Sequence, residues 1–134
     1  METFRFHHVG IAVANLQDAI QSYKNLLGYE LVSGPFDDPI QKVSVCFLSR
    51  GTGDPLIEPV APLGSDSPIR EFLRKGSGIY HICYEVTAMD AAIQHLTDGG
   101  CMLLSGPVPA VAFGMRKIAW LMTDTYLLME LVEA

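Results

Sequence analysis

The stretch His7-His8-Val9-Gly10-Ile11-Ala12-Val13 constrains this chain most, because Tyr80-His81-Ile82-Cys83-Tyr84-Glu85-Val86 repeats its pattern 73 residues later. At that offset His8 falls on His81, Val13 on Val86, Ala19 on Ala92 and Ile20 on Ile93. One deletion later Ser33-Gly34-Pro35 meets Ser105-Gly106-Pro107 at an offset of 72. The offset is 73 again at Val45/Ile118, Phe47/Trp120 and Leu48/Leu121, then 72 where Leu56-Ile57-Glu58 meets Leu128-Met129-Glu130. An ordered series of this kind describes a tandem module read as βαβββ each time, not a solenoid of many repeats.

The repeat also pairs residues of metal-ligand type. His8 pairs with His81 and Glu58 with Glu130. A single histidine in a strand is ordinarily a satisfied core residue, but two that recur in register, each with an equivalent glutamate, form a ligand set. Two equivalent modules related by a pseudo-twofold axis would bring two imidazoles and two carboxylates to one point, the pattern of a mononuclear divalent site with mixed N/O ligands. With no thiolate, that site is expected to take an octahedral ion such as Co²⁺, Ni²⁺ or Mn²⁺, or else Zn²⁺. Neither histidine is expected to be a packing residue.

Composition removes other classes. Nine basic against fifteen acidic residues leave a net charge of −6, which argues against nucleic acid and anionic membrane as partners. No run approaches a membrane span, and Met1 to Phe6 does not read as a signal peptide, so a soluble cytoplasmic protein is expected. Cys46, Cys83 and Cys101 are odd in number, sit in apolar surroundings and form no C-x-x-C, which predicts reduced core thiols. No serine triad order, phosphate loop or nucleotide fingerprint occurs.

Along the chain, Phe6 to Val13 alternates as a strand, with His8, Gly10 and Ala12 on one face. Asn15 is placed to cap a helix with Asp18 at its third position, Leu16, Ile20, Tyr23 and Leu27 form its apolar stripe, and Gly28 ends it. Tyr29 to Val32 reads as a short strand and Ser33 to Ile40 as a loop. Val43, Val45 and Phe47 alternate in the next strand, the Arg50 to Asp54 turn follows, and Leu56 to Val60 should return antiparallel. Glu58 then lies in an apolar strand, where an unpartnered carboxylate is costly to bury. Ala61 to Gly78 is the connection, with a helical piece at Ser67 to Leu73. The second half follows as strand Ile79 to Val86, a helix from Met89 to Thr97 started by Thr87 and Asp90, a Gly99-Gly100 stop, and a short strand from Cys101 to Leu104. A loop from Gly106 to Gly114 and a hairpin of Arg116 to Met122 with Tyr126 to Val132 complete it.

This doubled βαβββ, with His near the start of the first strand and Glu in the last strand of each half, resembles the vicinal oxygen chelate superfamily of glyoxalase I, methylmalonyl-CoA epimerases, extradiol dioxygenases and bleomycin-resistance proteins. His8 to Val13, Pro62-Leu63-Gly64-Ser65-Asp66-Ser67-Pro68-Ile69 and Gly78 to Cys83 are most similar to the epimerases, with Asp66-Ser67-Pro68-Ile69 the most specific stretch. The resemblance implies one α+β domain over 1–134, two tandem modules (about 5–61 and 78–134, linker about 62–77) forming a curved mixed sheet around a central metal-binding cleft. It places the metal ligands at His8, Glu58, His81 and Glu130, and implies a homodimer. Two departures stand out. Where the epimerases carry a non-ligand glutamate just before the third strand, this chain has Ile40-Gln41-Lys42, and where glyoxalase I carries a glutathione-binding arginine it has Ala12.

The activity expected is that of a metal-dependent isomerase moving the proton α to a carbonyl, epimerase-like, with Glu130 shuttling the proton and Glu58 as second base. The alternatives are a glyoxalase I-type lactoylglutathione lyase acting on a glutathione thiohemiacetal, and a non-catalytic ligand-binding or resistance protein. Gln41, Lys42, Phe113, Arg116 and Trp120 are the expected substrate contacts, Lys42 and Arg116 because cations suit the phosphates of an acyl-CoA.

Overall fold

The computed structural model describes residues 3–51, 53–76 and 78–134. Thr52 of the expected turn, Ser77 of the expected linker, and Met1 and Glu2 lie outside the described residues. Its elements are β1 (Phe4–Ala12), α1 (Leu16–Leu27), β2 (Glu30–Asp38), β3 (Val43–Ser49) and β4 (Leu56–Pro62), then a short helix α2 (Ile69–Arg74). They continue as β5 (Gly78–Val86), α3 (Met89–Asp98), β6 (Met102–Pro109), a 3-10 turn at Val111–Phe113, β7 (Lys117–Met122) and β8 (Leu128–Glu133). The fold is α+β, with βαβββ occurring twice. No helix among the described residues is long and apolar enough to cross a membrane. The residues group into two compact units, His8–Tyr80 and His81–Ala134, the latter including β1 through His7.

In the unit His8–Tyr80 the strand order is β2-β3-β4-β1. Strand β3 runs antiparallel to β2 and β4, and β4 runs parallel to β1, with Gly10 opposite Glu58. In the other unit the order is β5-β8-β7-β6, and β8 runs parallel to β5 with Cys83 opposite Glu130. A parallel pair requires a crossover, which α1 and α3 supply, and each helix covers one face of its own sheet. Leu16 of α1 packs with Tyr29, Cys46, Leu48 and Ala61, and Met89 and Ala92 of α3 with Val86, Ala119, Leu121, Met129 and Leu131. Because Cys46 and Leu48 face α1, alternation turns Val45 and Phe47 of β3 to the opposite face.

Helix α1 begins and ends as expected: the Asn15 Oδ1 accepts from the Asp18 amide at 3.0 Å, and Gly28 closes it at φ 77° in the left-handed region. Its stripe is shorter than expected, since Leu27 is 50% exposed. Tyr29, past the turn at Gly28, supplies the cover instead and meets Tyr23 edge-on at 6.2 Å. Helix α3 starts at Met89 as expected, with Ala88 rather than Thr87 at its N-cap. Ala88 holds its N-cap position without a side-chain cap, and the Met89 amide donates to Glu133 Oε2 at 3.0 Å, 44 residues away in β8. A sequence signature of local capping cannot reveal so distant an acceptor. Glu133→Ala should lower stability by about 1 kcal/mol, the usual worth of a cap, or a few degrees of thermal midpoint. An unchanged midpoint would show that the carboxylate contributes nothing to the helix.

The loops expected at Ser33 to Ile40 and after Gly106 are largely strand. Both β2 and β6 run on through cis Gly-Pro bonds, Gly34-Pro35 and Gly106-Pro107, with paired register shifts at Leu31/Ser33 and Ser33/Phe36 in one and Leu103/Ser105 and Ser105/Val108 in the other. Gly-Pro ordinarily signals a loop, but each of these strands pairs with its module's β3 or β7 at the end of the strand order, where the missing proline N–H costs no ladder bond. Glycine is needed there: at φ 93° a Cβ on Gly106 would lie 2.6 Å from the Ile118 carbonyl oxygen.

Candidate metal centre

Each unit buries one histidine against one glutamate. In the first, β1 carries His8 and the neighbouring parallel strand β4 carries Glu58, whose Oε1 lies 3.2 Å from His8 Nε2. In the second, β5 carries His81 and β8 carries Glu130, whose Oε1 lies 3.3 Å from His81 Nε2. All four side chains are buried. The register explains the equivalence, since in both units the glutamate stands opposite the residue two beyond the histidine, Gly10 or Cys83. An aromatic edge backs each imidazole: Phe47 meets His8 at 5.3 Å and 67°, and Trp120 meets His81 at 4.8 Å and 89°. The expectation that these histidines are not packing residues is thereby corrected, for both are among the largest fully buried side chains.

The donor spacing fits a shared ion within each pair. Two ligands about 2.1 Å from one divalent ion lie about 3.0 Å apart at a right angle and about 3.4 Å at the tetrahedral angle, and the observed 3.2 and 3.3 Å fall in that interval. The set is imidazole nitrogen and carboxylate oxygen. Burial, and secondarily the charge of Glu58, pushes the Cys46 thiol up to about 11, so it stays protonated and offers no thiolate.

The expected substrate contacts are placed as follows. Trp120 is half-buried against His81, and Phe113 is buried with the His7 ring edge-on at 5.5 Å. Gln41 is half-buried in the turn between β2 and β3, its amide donating to Asp38 Oδ1 at 3.0 Å. Both candidate phosphate cations are engaged by protein acids: Lys42 Nζ lies 2.6 Å from Asp66 Oδ2, and Arg116 lies 3.3 Å from Glu85 while donating to the Phe113 and Glu133 carbonyls. A ligand phosphate at either would have to compete with that acid. Phe47 was legible as a strand residue and as the repeat partner of Trp120 but not as a neighbour of His8, and the Arg116–Glu85 pairing carried no sequence signal, its members lying 31 residues apart.

The glyoxalase/bleomycin resistance protein/dioxygenase superfamily matches residues 7–120. The ethylmalonyl-CoA/methylmalonyl-CoA epimerase of Cereibacter sphaeroides is 39% identical over 119 residues, covering 87% of each chain. The mitochondrial methylmalonyl-CoA epimerase of Homo sapiens is 41% identical over 116 residues, 85% of this chain but 64% of that protein. Among solved structures, the methylmalonyl-CoA epimerase of Mycobacterium tuberculosis superposes with a TM-score of 0.82 at 32% identity, covering 96% of this chain and 87% of that one. The chain therefore belongs to the glyoxalase/bleomycin resistance protein/dioxygenase superfamily, as an epimerase-like member of it.

Proposed function

We propose that His8, Glu58, His81 and Glu130 together hold one divalent ion, and that the protein is an isomerase moving the proton α to the thioester carbonyl of a methylmalonyl-type acyl-CoA. The observation that carries this reading is the twofold occurrence of a buried His–Glu pair in one register, at 3.2 and 3.3 Å. When bound, a divalent ion supplies Lewis-acid stabilisation of the negative charge that develops on the carbonyl oxygen. The protein's own work is proton transfer and positioning. Glu130 accepts the α proton, as a buried carboxylate within reach of substrate can, and Glu58 serves the opposite face. Trp120 and Phe113 contribute apolar lining, and Gln41 a polar contact. The N/O donor set supports Co²⁺, Ni²⁺ or Mn²⁺, with Zn²⁺ also accommodated. A cytoplasmic place and a homodimer belong to the same proposal. The three free cysteines support the first, and exposed Leu31 and Val32 on β2 with Met102 and Leu104 on β6 support the second.

Metal analysis of the purified protein, followed by solvent deuterium exchange into methylmalonyl-CoA, tests this reading. Stoichiometric metal is expected, together with exchange that a chelator abolishes and added Co²⁺ restores. At a free ion concentration of about 100 Kd the holoprotein should be about 2.7 kcal/mol more stable than the apoprotein, a readout independent of turnover. Absence of metal binding sinks the site. Metal binding without exchange into any acyl-CoA would favour the lyase or the non-catalytic binding protein.

A further inference from the structure

The Asp66-Ser67-Pro68-Ile69 stretch has no role in the proposed chemistry, yet it is tied at two points to the turn between β2 and β3. Ser67 and Ile69 are buried, the Ile69 amide donates to Ser67 Oγ at 3.4 Å, and the Arg70 amide donates to the Ser67 carbonyl at 3.1 Å as α2 begins. Arg70 Nε donates to the Gly64 carbonyl at 2.8 Å. These contacts fix the linker while its Asp66 carboxylate reaches Lys42 Nζ at 2.6 Å. The second tie is in the backbone, where the Leu63 amide donates to the Lys42 carbonyl at 3.0 Å.

The turn itself is organised from within. Buried Asp38 accepts from the Ile40 and Gln41 amides through one oxygen, at 3.0 Å each. Lys42 then adopts φ 59°, a left-handed conformation that disfavours any residue with a Cβ. A glycine would relieve that strain but would carry no side chain to Asp66. The hydrogen bond from Lys42, foremost, also holds the Asp66 carboxyl below the usual aspartate range.

We infer that the Lys42–Asp66 ion pair is a latch that fixes the β2–β3 turn to the linker and so positions Gln41 toward substrate, an inference that rests on the acyl-CoA reading above. Lys42 and Asp66 are positioning residues. Their side chains are 48% and 68% exposed, so the pair contributes little to global stability and its effect is local.

Asp66→Asn and the reversed pair Lys42→Asp/Asp66→Lys test it, and aspartate tolerates the left-handed conformation at position 42. Two quantities are measured: amide hydrogen exchange at Ile40, Gln41 and Leu63, and KM against kcat for methylmalonyl-CoA. Asp66→Asn should speed exchange at those amides about three- to fivefold, the upper range for an exposed pair. It should raise KM by a similar factor with kcat within about twofold, the pattern of lost uniform binding, and leave the thermal midpoint unchanged. The reversed pair should restore the slow exchange. Unchanged exchange overturns the latch. Faster exchange with unchanged KM overturns the positioning of Gln41, and faster exchange that the reversed pair fails to slow overturns the ion pair as its cause. A wild type that processes no acyl-CoA counts against the functional reading and against the substrate half of this inference, while the exchange rates still judge the latch.

Discussion

Glu58→Gln should retain the divalent ion and lose inversion. Changing the stereochemistry at a carbon by proton transfer needs an acid or base on each face of the planar carbanion, and the turn that carries a glutamate in the epimerases holds Ile40-Gln41-Lys42 here. Of the two carboxylates just before it at the end of β2, Asp38 is occupied with the Ile40 and Gln41 amides and Asp37 with the Ser44 hydroxyl. Glu58 and Glu130 stand at equivalent positions in the two units, each buried and each about one hydrogen-bond length from its histidine. Glutamine keeps the shape and one oxygen donor of Glu58 but cannot accept a proton. Removing a general acid or base typically costs about 10²–10⁴-fold, so epimer interconversion should fall by that factor. In deuterated solvent the variant should still exchange the α proton of one epimer without converting it to the other. Full interconversion in Glu58→Gln would refute the role. Asp38→Asn is the companion measurement, since asparagine preserves the turn acceptor, and loss of inversion there alone would move the second base into the turn.

Because the tandem offset is a property of the chain alone, both modules and the pairing of His8 with His81 and of Glu58 with Glu130 were legible in the sequence. Its changes from 73 to 72 also anticipated that the loop joining the last two strands, residues 50–55 in the first module, has one residue fewer at 123–127 in the second. Hydrophobic alternation placed β3, its repeat partners Ile118, Trp120 and Leu121 placed β7, and local capping chemistry placed α1. What sequence could not supply were interactions between distant residues. The cap of α3 comes from Glu133, and the strand continuations through Gly34-Pro35 and Gly106-Pro107 depend on position at the end of a sheet order rather than on propensity. The cations fared similarly. Lys42 and Arg116 read in the sequence as cations for a phosphate, because their acidic partners Asp66 and Glu85 lie 24 and 31 residues away and leave no local signal of the pairing.

His8→Ala and His81→Ala should each lower metal affinity by at least about 100-fold, more than is usual for an outer-shell partner, and by equal factors. Equality follows from register: each histidine precedes by two the residue facing its glutamate, each sits 3.2–3.3 Å from that carboxylate, and each is backed by one aromatic edge. Burial adds a second effect. Truncating a fully buried ring leaves a cavity beside Phe47 or Trp120 and leaves a buried carboxylate without its imidazole, so the metal-free variants should also lose about 2–4 kcal/mol of stability. The two effects separate on titration, because lost affinity changes how much the ion stabilises the protein, whereas the cavity lowers the metal-free baseline. Calorimetric ion titration alongside thermal melts with and without Co²⁺ therefore reads each effect separately. If either variant binds the ion as the wild type does, the histidines are packing residues that recur in register for structural reasons, and the two units do not share a metal.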